Sequence, residues 1–127
     1  MSLNYFINTA IIDSKYTSSY VSGVVGKKVE FVPNLNLKTG IKFGFSNFIF
    51  NIQYSFISKQ FTDSSNASEG SISGIIGEIP QYQLLDASMS YLIRKFKFEA
   101  GINNLTNTYY FTRRATGYPG PGIIPSP

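Results

Sequence analysis

The 127-residue sequence contains no cysteine, no histidine and no tryptophan. The first two absences exclude disulfides, Cys or His metal sites, and acid–base or triad chemistry that depends on imidazole. Charge is also scarce. Only 14% of residues are charged, against about a quarter in ordinary soluble domains. The net charge of +4, from 11 basic and 7 acidic residues, is modest. By itself it does not choose between nucleic acid, a membrane surface and no charged partner. Long hydrophobic runs are missing too, so no segment reads as a transmembrane helix of about 18 or more apolar residues. Met1 to Phe6 lack the basic region and apolar stretch of a signal peptide.

What is abundant is aromatic. Phe and Tyr, 11 and 9 of them, make up 16% of the chain. They recur with a period of two, which is the spacing of strands whose successive side chains point to opposite faces. Leu35, Leu37, Thr39, Ile41, Phe43 and Phe45 share one face, and Asn36, Lys38, Gly40, Lys42 and Gly44 the other. Phe48, Phe50, Ile52, Tyr54 and Phe56 repeat the pattern against Asn51, Gln53 and Ser55. So do Leu85, Ala87, Met89, Tyr91 and Ile93 against Asp86, Ser88 and Ser90, and Phe96, Phe98, Ala100 and Ile102 against Lys97, Glu99 and Gly101. The first segment is less regular, with Leu3, Tyr5, Ile7, Thr9 and Ile11 on one side. No charge falls on the apolar face. No segment keeps a 3.6-residue stripe, so almost no helix is expected.

The predicted strands span roughly 3–16, 34–45, 48–61, 82–93 and 96–111. Eleven residues at ~3.3 Å each, tilted by ~45°, cover about 25 Å along a membrane normal, the height of the apolar band of an outer-membrane barrel. Strands of soluble proteins are mostly ~5–6 residues. The connections alternate in length as well. Ser46-Asn47 and Arg94-Lys95 are tight turns, whereas 17–33, 62–81 and the tail from Thr112 are long. Short periplasmic turns and long extracellular loops are the asymmetry of outer-membrane barrels. The expected fold is therefore all-β: an antiparallel up-and-down meander of about five long strands, an open fragment of a transmembrane β-barrel.

Several tempting patterns fail. Gly23-Val24-Val25-Gly26-Lys27-Lys28 has the wrong spacing for a phosphate loop and no Ser or Thr after the lysine. Asp63-Ser64-Ser65-Asn66 lacks calcium-loop spacing and reads as a polar, mobile loop tip. Asn66-Ala67-Ser68 and Asn104-Leu105-Thr106 fit a glycosylation triplet that arises often by chance. Asp86 and Glu99, on the non-lipid face of adjacent strands, are expected to join Lys38, Lys42, Lys59 and Lys97 in a solvated lumen network rather than act as an acid–base pair. The basic residues form no stripe interleaved with stacking aromatics, so no nucleic-acid partner is expected. Neither a cofactor nor a metal site is expected.

The most specific stretch is Gly101-Ile102-Asn103-Asn104-Leu105-Thr106-Asn107 followed by Tyr109-Tyr110-Phe111. It resembles the penultimate strand of TonB-dependent outer-membrane receptors. The run from Arg113 to Ile123 (R-R-A-T-G-Y-P-G-P-G-I) is similar to the ferric-citrate-type branch of that family. Val32-Pro33, Tyr54 to Asp63, and Ile79-Pro80-Gln81-Tyr82 leading to Asp86 resemble it in the same order. The resemblance implies a receptor in the cell outer membrane that takes up a ferric chelate, ferric citrate or a similar siderophore, through a plug moved by TonB. The resemblance implies no enzymatic activity. Family barrels have about 22 strands, and matched by order the five here are the seventeenth to twenty-first. The final strand, the plug and most of the barrel are then expected outside residues 1–127, which form a partial barrel domain.

Five strands cannot close a barrel, and an open sheet in lipid leaves unpaired backbone groups costing several kcal/mol each. Alone, the chain is not expected to transport. A passive porin-like barrel fragment, or a soluble β-barrel or sandwich binding module, are the alternatives. Arg113 and Arg114 are the candidate ligand-binding residues, placed in an extracellular loop, because guanidinium groups bind the carboxylates of an anionic chelate bidentately. The Tyr118-Pro119-Gly120-Pro121-Gly122 segment is expected to set a rigid loop shape.

Overall fold

The computed structural model describes residues 1–114 and the backbone of 123–126. The described residues contain strands and no helix: β1 (Ser2–Ile11), β2 (Leu35–Phe45), β3 (Phe48–Ile57), β4 (Gln60–Phe61), β5 (Glu78–Ile79), β6 (Tyr82–Ile93), β7 (Phe96–Ile102), β8 (Tyr110–Arg114) and β9 (Ile123–Ser126). The long strands form one sheet in the order β1-β2-β3-β6-β7, and the short ones pair as β4-β5 and β8-β9. The chain divides into two compact units. One holds the sheet, from Met1–Thr9, Asn36–Phe56 and Gln83–Thr108; the other holds the long connections, Ala10–Leu35, Ile57–Tyr82 and the described residues from Tyr109 on.

The sheet is the expected antiparallel up-and-down meander. Strand β6 runs the twelve residues from Tyr82 to Ile93, and its partner β7 is in register from Ala87↔Ile102 to Ile93↔Phe96. Ser46 and Arg94 open the two tight turns at φ 51° and 52°, the left-handed conformation that a two-residue hairpin requires at its first central position. No large side chain of this unit is buried. Leu3 is 67% exposed, Phe96 70% and Phe98 60%, so the apolar face meets no second layer among the described residues. Its polar atoms are nonetheless matched inside the sheet. The Thr39 hydroxyl lies 2.9 Å from the Phe6 carbonyl and 3.0 Å from the Tyr5 hydroxyl, and Tyr54 donates to Gln83 at 2.9 Å. A face that shields its own hydroxyls suits hydrocarbon rather than water.

Gly40 is the position the sheet cannot change. A Cβ there would stand 2.6 Å from Cε1 of Phe6 and 2.7 Å from the Ile52 carbonyl oxygen. The Phe6 ring therefore lies across bare backbone on the otherwise polar face. An aromatic covering a strand glycine restores packing that the glycine lacks.

Three expected strands end early, each for a local reason. The first stops at Ile11 rather than 16, although Lys15 keeps an isolated antiparallel bridge to Lys28. Alternation fails at Ile11-Ile12 and the polar run Asp13-Ser14-Lys15 follows. The third stops at Ile57 rather than 61. Ser58 Oγ accepts from the Leu35 N–H at 3.0 Å, competing with the ladder, and Gln60-Phe61 turn to pair with Glu78-Ile79.

The fifth stops at Ile102 rather than 111, because the Asn-rich motif folds as a turn. Asn104 and Asn107 both take φ 52°. Asp86 Oδ1 accepts from the Asn104 N–H at 2.9 Å, and the Asn104 side chain brackets Thr108, accepting from its N–H at 2.8 Å and donating to its carbonyl at 2.9 Å. The amide side chain thus stands in for a neighbouring strand. Asp86→Ala removes that anchor and is expected to destabilise the turn by about 1–2 kcal/mol. Faster amide exchange at Asn104 and Thr108 would register it; unchanged exchange would show that Asp86 is dispensable.

Candidate ligand site

The connecting segments are not loose loops. They hold both apolar side chains that are buried among the described residues, Val24 and the fully buried Ile79. Asn66, at φ 53°, joins the first connection to the second: its Oδ1 accepts from the Lys28 N–H at 2.7 Å and its Nδ2 donates to the Lys28 carbonyl at 2.9 Å. This is the same device as Asn104. The expectation of a free loop tip at Asp63-Ser64-Ser65-Asn66 is corrected accordingly, since Asp63 also caps Ser65 at 2.9 Å. Thr62 and Gly77 bond through Oγ1 on both sides, at 3.1 and 2.9 Å. Tyr16 donates to the Glu30 carboxylate at 2.5 Å, and that hydrogen bond raises the phenol above its ordinary range, with desolvation and the Glu30 charge adding to it.

Both candidate arginines lie on β8, which pairs with β9 through Arg113↔Ile124 and Arg114↔Ile123, with a bulge between Phe111 and Arg113. They therefore stand on a hairpin arm rather than on an irregular loop. Successive strand residues face opposite ways, and the two have different surroundings. Arg114 is half-buried and turned onto the second connection. Its Nη1 donates to the Gly74 carbonyl at 3.0 Å, and its Nε and Nη2 to the Glu78 carbonyl at 3.2 and 3.0 Å. Its guanidinium also lies over the Phe111 ring at 5.2 Å. Arg113 is exposed and enters no ion pair among the described residues. The Tyr118–Gly122 segment lies outside the described residues.

Around β8 the wall of the unit is aromatic. Tyr82 and Tyr110 stack at 4.6 Å, and Pro80, Tyr109 and Phe111 complete a small cleft of about 180 Å³. Lys59 pairs with Glu78 at 2.9 Å and lies over Phe61. The expected lumen network thus forms only in part among the described residues. Lys59 belongs to the loop unit, Asp86 serves Asn104, and Glu99 pairs with Lys97 at 2.6 Å. Lys38 and Lys42 enter no ion pair among the described residues. The described residues contain no cluster of three or more metal-ligating side chains.

An open sheet of long, antiparallel, up-and-down strands with one charge-free face defines the class: a segment of β-barrel wall. Among solved structures, the chain is similar to the ferric citrate transporter FecA in its unliganded form, with a TM-score of 0.79 over 95% of this chain at 23% identity. The chain spans 18% of that protein's length. No family model matches the sequence.

Proposed function

We propose that this chain is part of the barrel of an outer-membrane receptor for TonB-dependent uptake of a ferric chelate, with ferric citrate the first candidate. The single observation that carries the reading is the sheet itself: strands of barrel-crossing length whose apolar face is exposed, in a chain similar in fold to part of a ferric citrate transporter. In this reading Ser46-Asn47 and Arg94-Lys95 are periplasmic turns, and the long connections are the extracellular loops that meet the ligand. Arg113 is the ligand contact, because it is exposed and its charge is uncommitted. Arg114 positions the loop between Gly74 and Glu78. The chain works as a wall and capture surface, without chemistry of its own, and does not transport alone.

A passive porin-like wall shares the strand physics but needs no ligand contact, which separates the two. A soluble binding module would bury its apolar face against a second sheet; here Leu3, Phe96 and Phe98 are exposed. Two outcomes test the reading. The expressed chain should partition into the outer-membrane fraction or aggregate without detergent; a soluble monomer would contradict it. In detergent micelles, Arg113→Ala should weaken ferric citrate binding about tenfold, the loss of one charge-assisted contact. Unchanged affinity would return Arg113 to a structural role and favour the porin-like wall.

A further inference from the structure

The apolar face of the sheet is not flat. Along β6 and β7 its side chains meet as directly opposed pairs: Ile93↔Phe96, Tyr91↔Phe98, Met89↔Ala100 and Ala87↔Ile102. Away from the Arg94-Lys95 turn, bulky pairs give way to pairs that each contain an alanine. The missing side-chain volume leaves a hollow of about 540 Å³ bounded by Phe48, Tyr91 and Phe98. Beyond it lies one of about 180 Å³ bounded by Phe50, Ala87 and Ile102. Met89 and Ala100 border both, so the two form one furrow. Glu99 also borders the first and Ser88 the second, but strand alternation turns both side chains to the other face, where Glu99 pairs with Lys97. From Ala87 to Ile93, at ~3.3 Å per residue and a tilt of ~45°, the furrow covers about 14 Å along a membrane normal. That is the depth of one leaflet of a ~30 Å hydrocarbon core.

Positive charge stands at one end of this furrow. The Arg94-Lys95 turn joins the two strands that carry it. Both residues are exposed, and neither enters an ion pair among the described residues. Of the two acidic residues in the sheet unit, Asp86 is bonded to the Asn104 N–H and Glu99 to Lys97. The neighbouring turn is the uncharged Ser46-Asn47, drawn alongside by the Leu92 N–H, which donates to the Asn47 carbonyl at 2.9 Å. An apolar furrow one leaflet deep that ends at two unneutralised cations is complementary to a molecule with an anionic head and a hydrocarbon tail.

We propose that the furrow seats one acyl chain of an anionic phospholipid, whose phosphate is held by Arg94 and Lys95. The inference rests on the barrel-wall part of the reading above, because it needs the apolar face to meet lipid. It is independent of any ferric chelate. In that reading the turn is periplasmic, so the lipid belongs to the periplasmic leaflet. Long basic side chains at the edge of an apolar surface lay their stems on it and keep their charged heads at the interface. Each such side chain raises affinity for an anionic lipid surface about fivefold.

The test uses the full chain in zwitterionic detergent micelles with two phospholipids, phosphatidylglycerol and phosphatidylcholine, each carrying a nitroxide midway along one acyl chain. The nitroxide broadens nearby amide NMR signals. Labelled phosphatidylglycerol should broaden Met89 and Ala100 well beyond Leu37 and Phe43, which share the apolar face on β2; labelled phosphatidylcholine should broaden all four alike. Arg94→Gln combined with Lys95→Gln should lower the phosphatidylglycerol affinity about twenty-fivefold, the product of two such contributions. Lys38→Gln combined with Lys42→Gln removes equal charge from the opposite face and should leave it unchanged. Equal losses in the two double variants would overturn the site. If the spectrum shows that the turn variant disturbs the hairpin, Ala100→Leu decides instead: it fills the furrow without altering charge, and unaltered broadening at Met89 overturns the proposal. Even broadening of the apolar face by both lipids sinks the furrow site alone and leaves the barrel wall standing. No broadening of that face by either lipid sinks the wall and the site together.

Discussion

Gly40→Val is expected to be the most damaging single substitution in the sheet. A Cβ at this position meets the Phe6 ring and, at 2.7 Å, the Ile52 carbonyl oxygen on the adjacent strand. The ring can rotate away; the carbonyl belongs to the β3 backbone and cannot. Overpacking of this kind costs about 1–3 kcal/mol, and displacing β2 from β3 adds the loss of ladder hydrogen bonds at about 1 kcal/mol each. Denaturant unfolding of detergent-solubilised chain measures the effect. Gly40→Ala should already destabilise, and Phe6→Ala combined with it should recover only part of the loss, since the carbonyl clash remains. Full recovery in the double variant would show that the ring alone requires the glycine. A Gly40→Val chain as stable as the parent would contradict the close approach altogether.

The second large effect is expected at Arg114. Three guanidinium N–H groups converge on the carbonyls of Gly74 and Glu78, so this one side chain ties β8 to the second connection. A hydrogen bond from a charged donor contributes about 1.5–3 kcal/mol net, and water takes over part of this half-buried set when the side chain is removed. Arg114→Ala should therefore loosen the segment around Ser71 to Glu78 by about 2 kcal/mol, or roughly thirtyfold in amide exchange. The sensitive reporters are the Gly74 and Ile76 amides, which are bonded within that segment to the Ser71 carbonyl and Ser71 Oγ. Arg114→Lys supplies a charge without the planar fork and should restore less than half of the protection. Arg113→Ala should leave it untouched. Equal exchange in the Arg114→Ala and parent chains would mean that the loop holds itself.

The two adjacent arginines also show where sequence reading reached its limit. The motif suggested a place in a loop just past a strand ending at 111, whereas both lie on β8, and their charge suggested a ligand. Nothing in the sequence distinguished the one that faces solvent from the one bonded to backbone carbonyls. That difference comes from the β8-β9 pairing and from the position of Gly74 and Glu78, which lie far away along the chain. The same holds for asparagine. The run Asn103-Asn104-Leu105 falls within the last expected strand, yet Asn104 breaks the alternation of Phe96, Phe98, Ala100 and Ile102 and turns left-handed, with Asp86 accepting from its N–H. Asn66 looked like a loop tip until Lys28 supplied both halves of its partner.

The strand order, the tight turns and the bounds of β2 and β6, by contrast, were legible almost residue by residue. Their cause is local and periodic: Phe, Tyr, Leu and Ile alternate with small and charged residues, and two-residue turns fix the register between strands. The polar face of the sheet lies between these cases. Ser88, Ser90 and Lys42 were visible on the right face, but that β7 brings Gly101 and Glu99 opposite the two serines required the register.

The central claim is that one face of the sheet meets lipid and the other water, and the absence of cysteine makes the direct test clean. Single cysteines placed in turn at Phe96, Lys97, Phe98, Glu99 and Ala100 of β7, spin-labelled and reconstituted in bilayers, can be read for collision with oxygen and with a water-soluble nickel chelate. A barrel wall predicts alternation: oxygen dominates at Phe96, Phe98 and Ala100, and the chelate at Lys97 and Glu99. Equal access to the chelate at all five positions would contradict it.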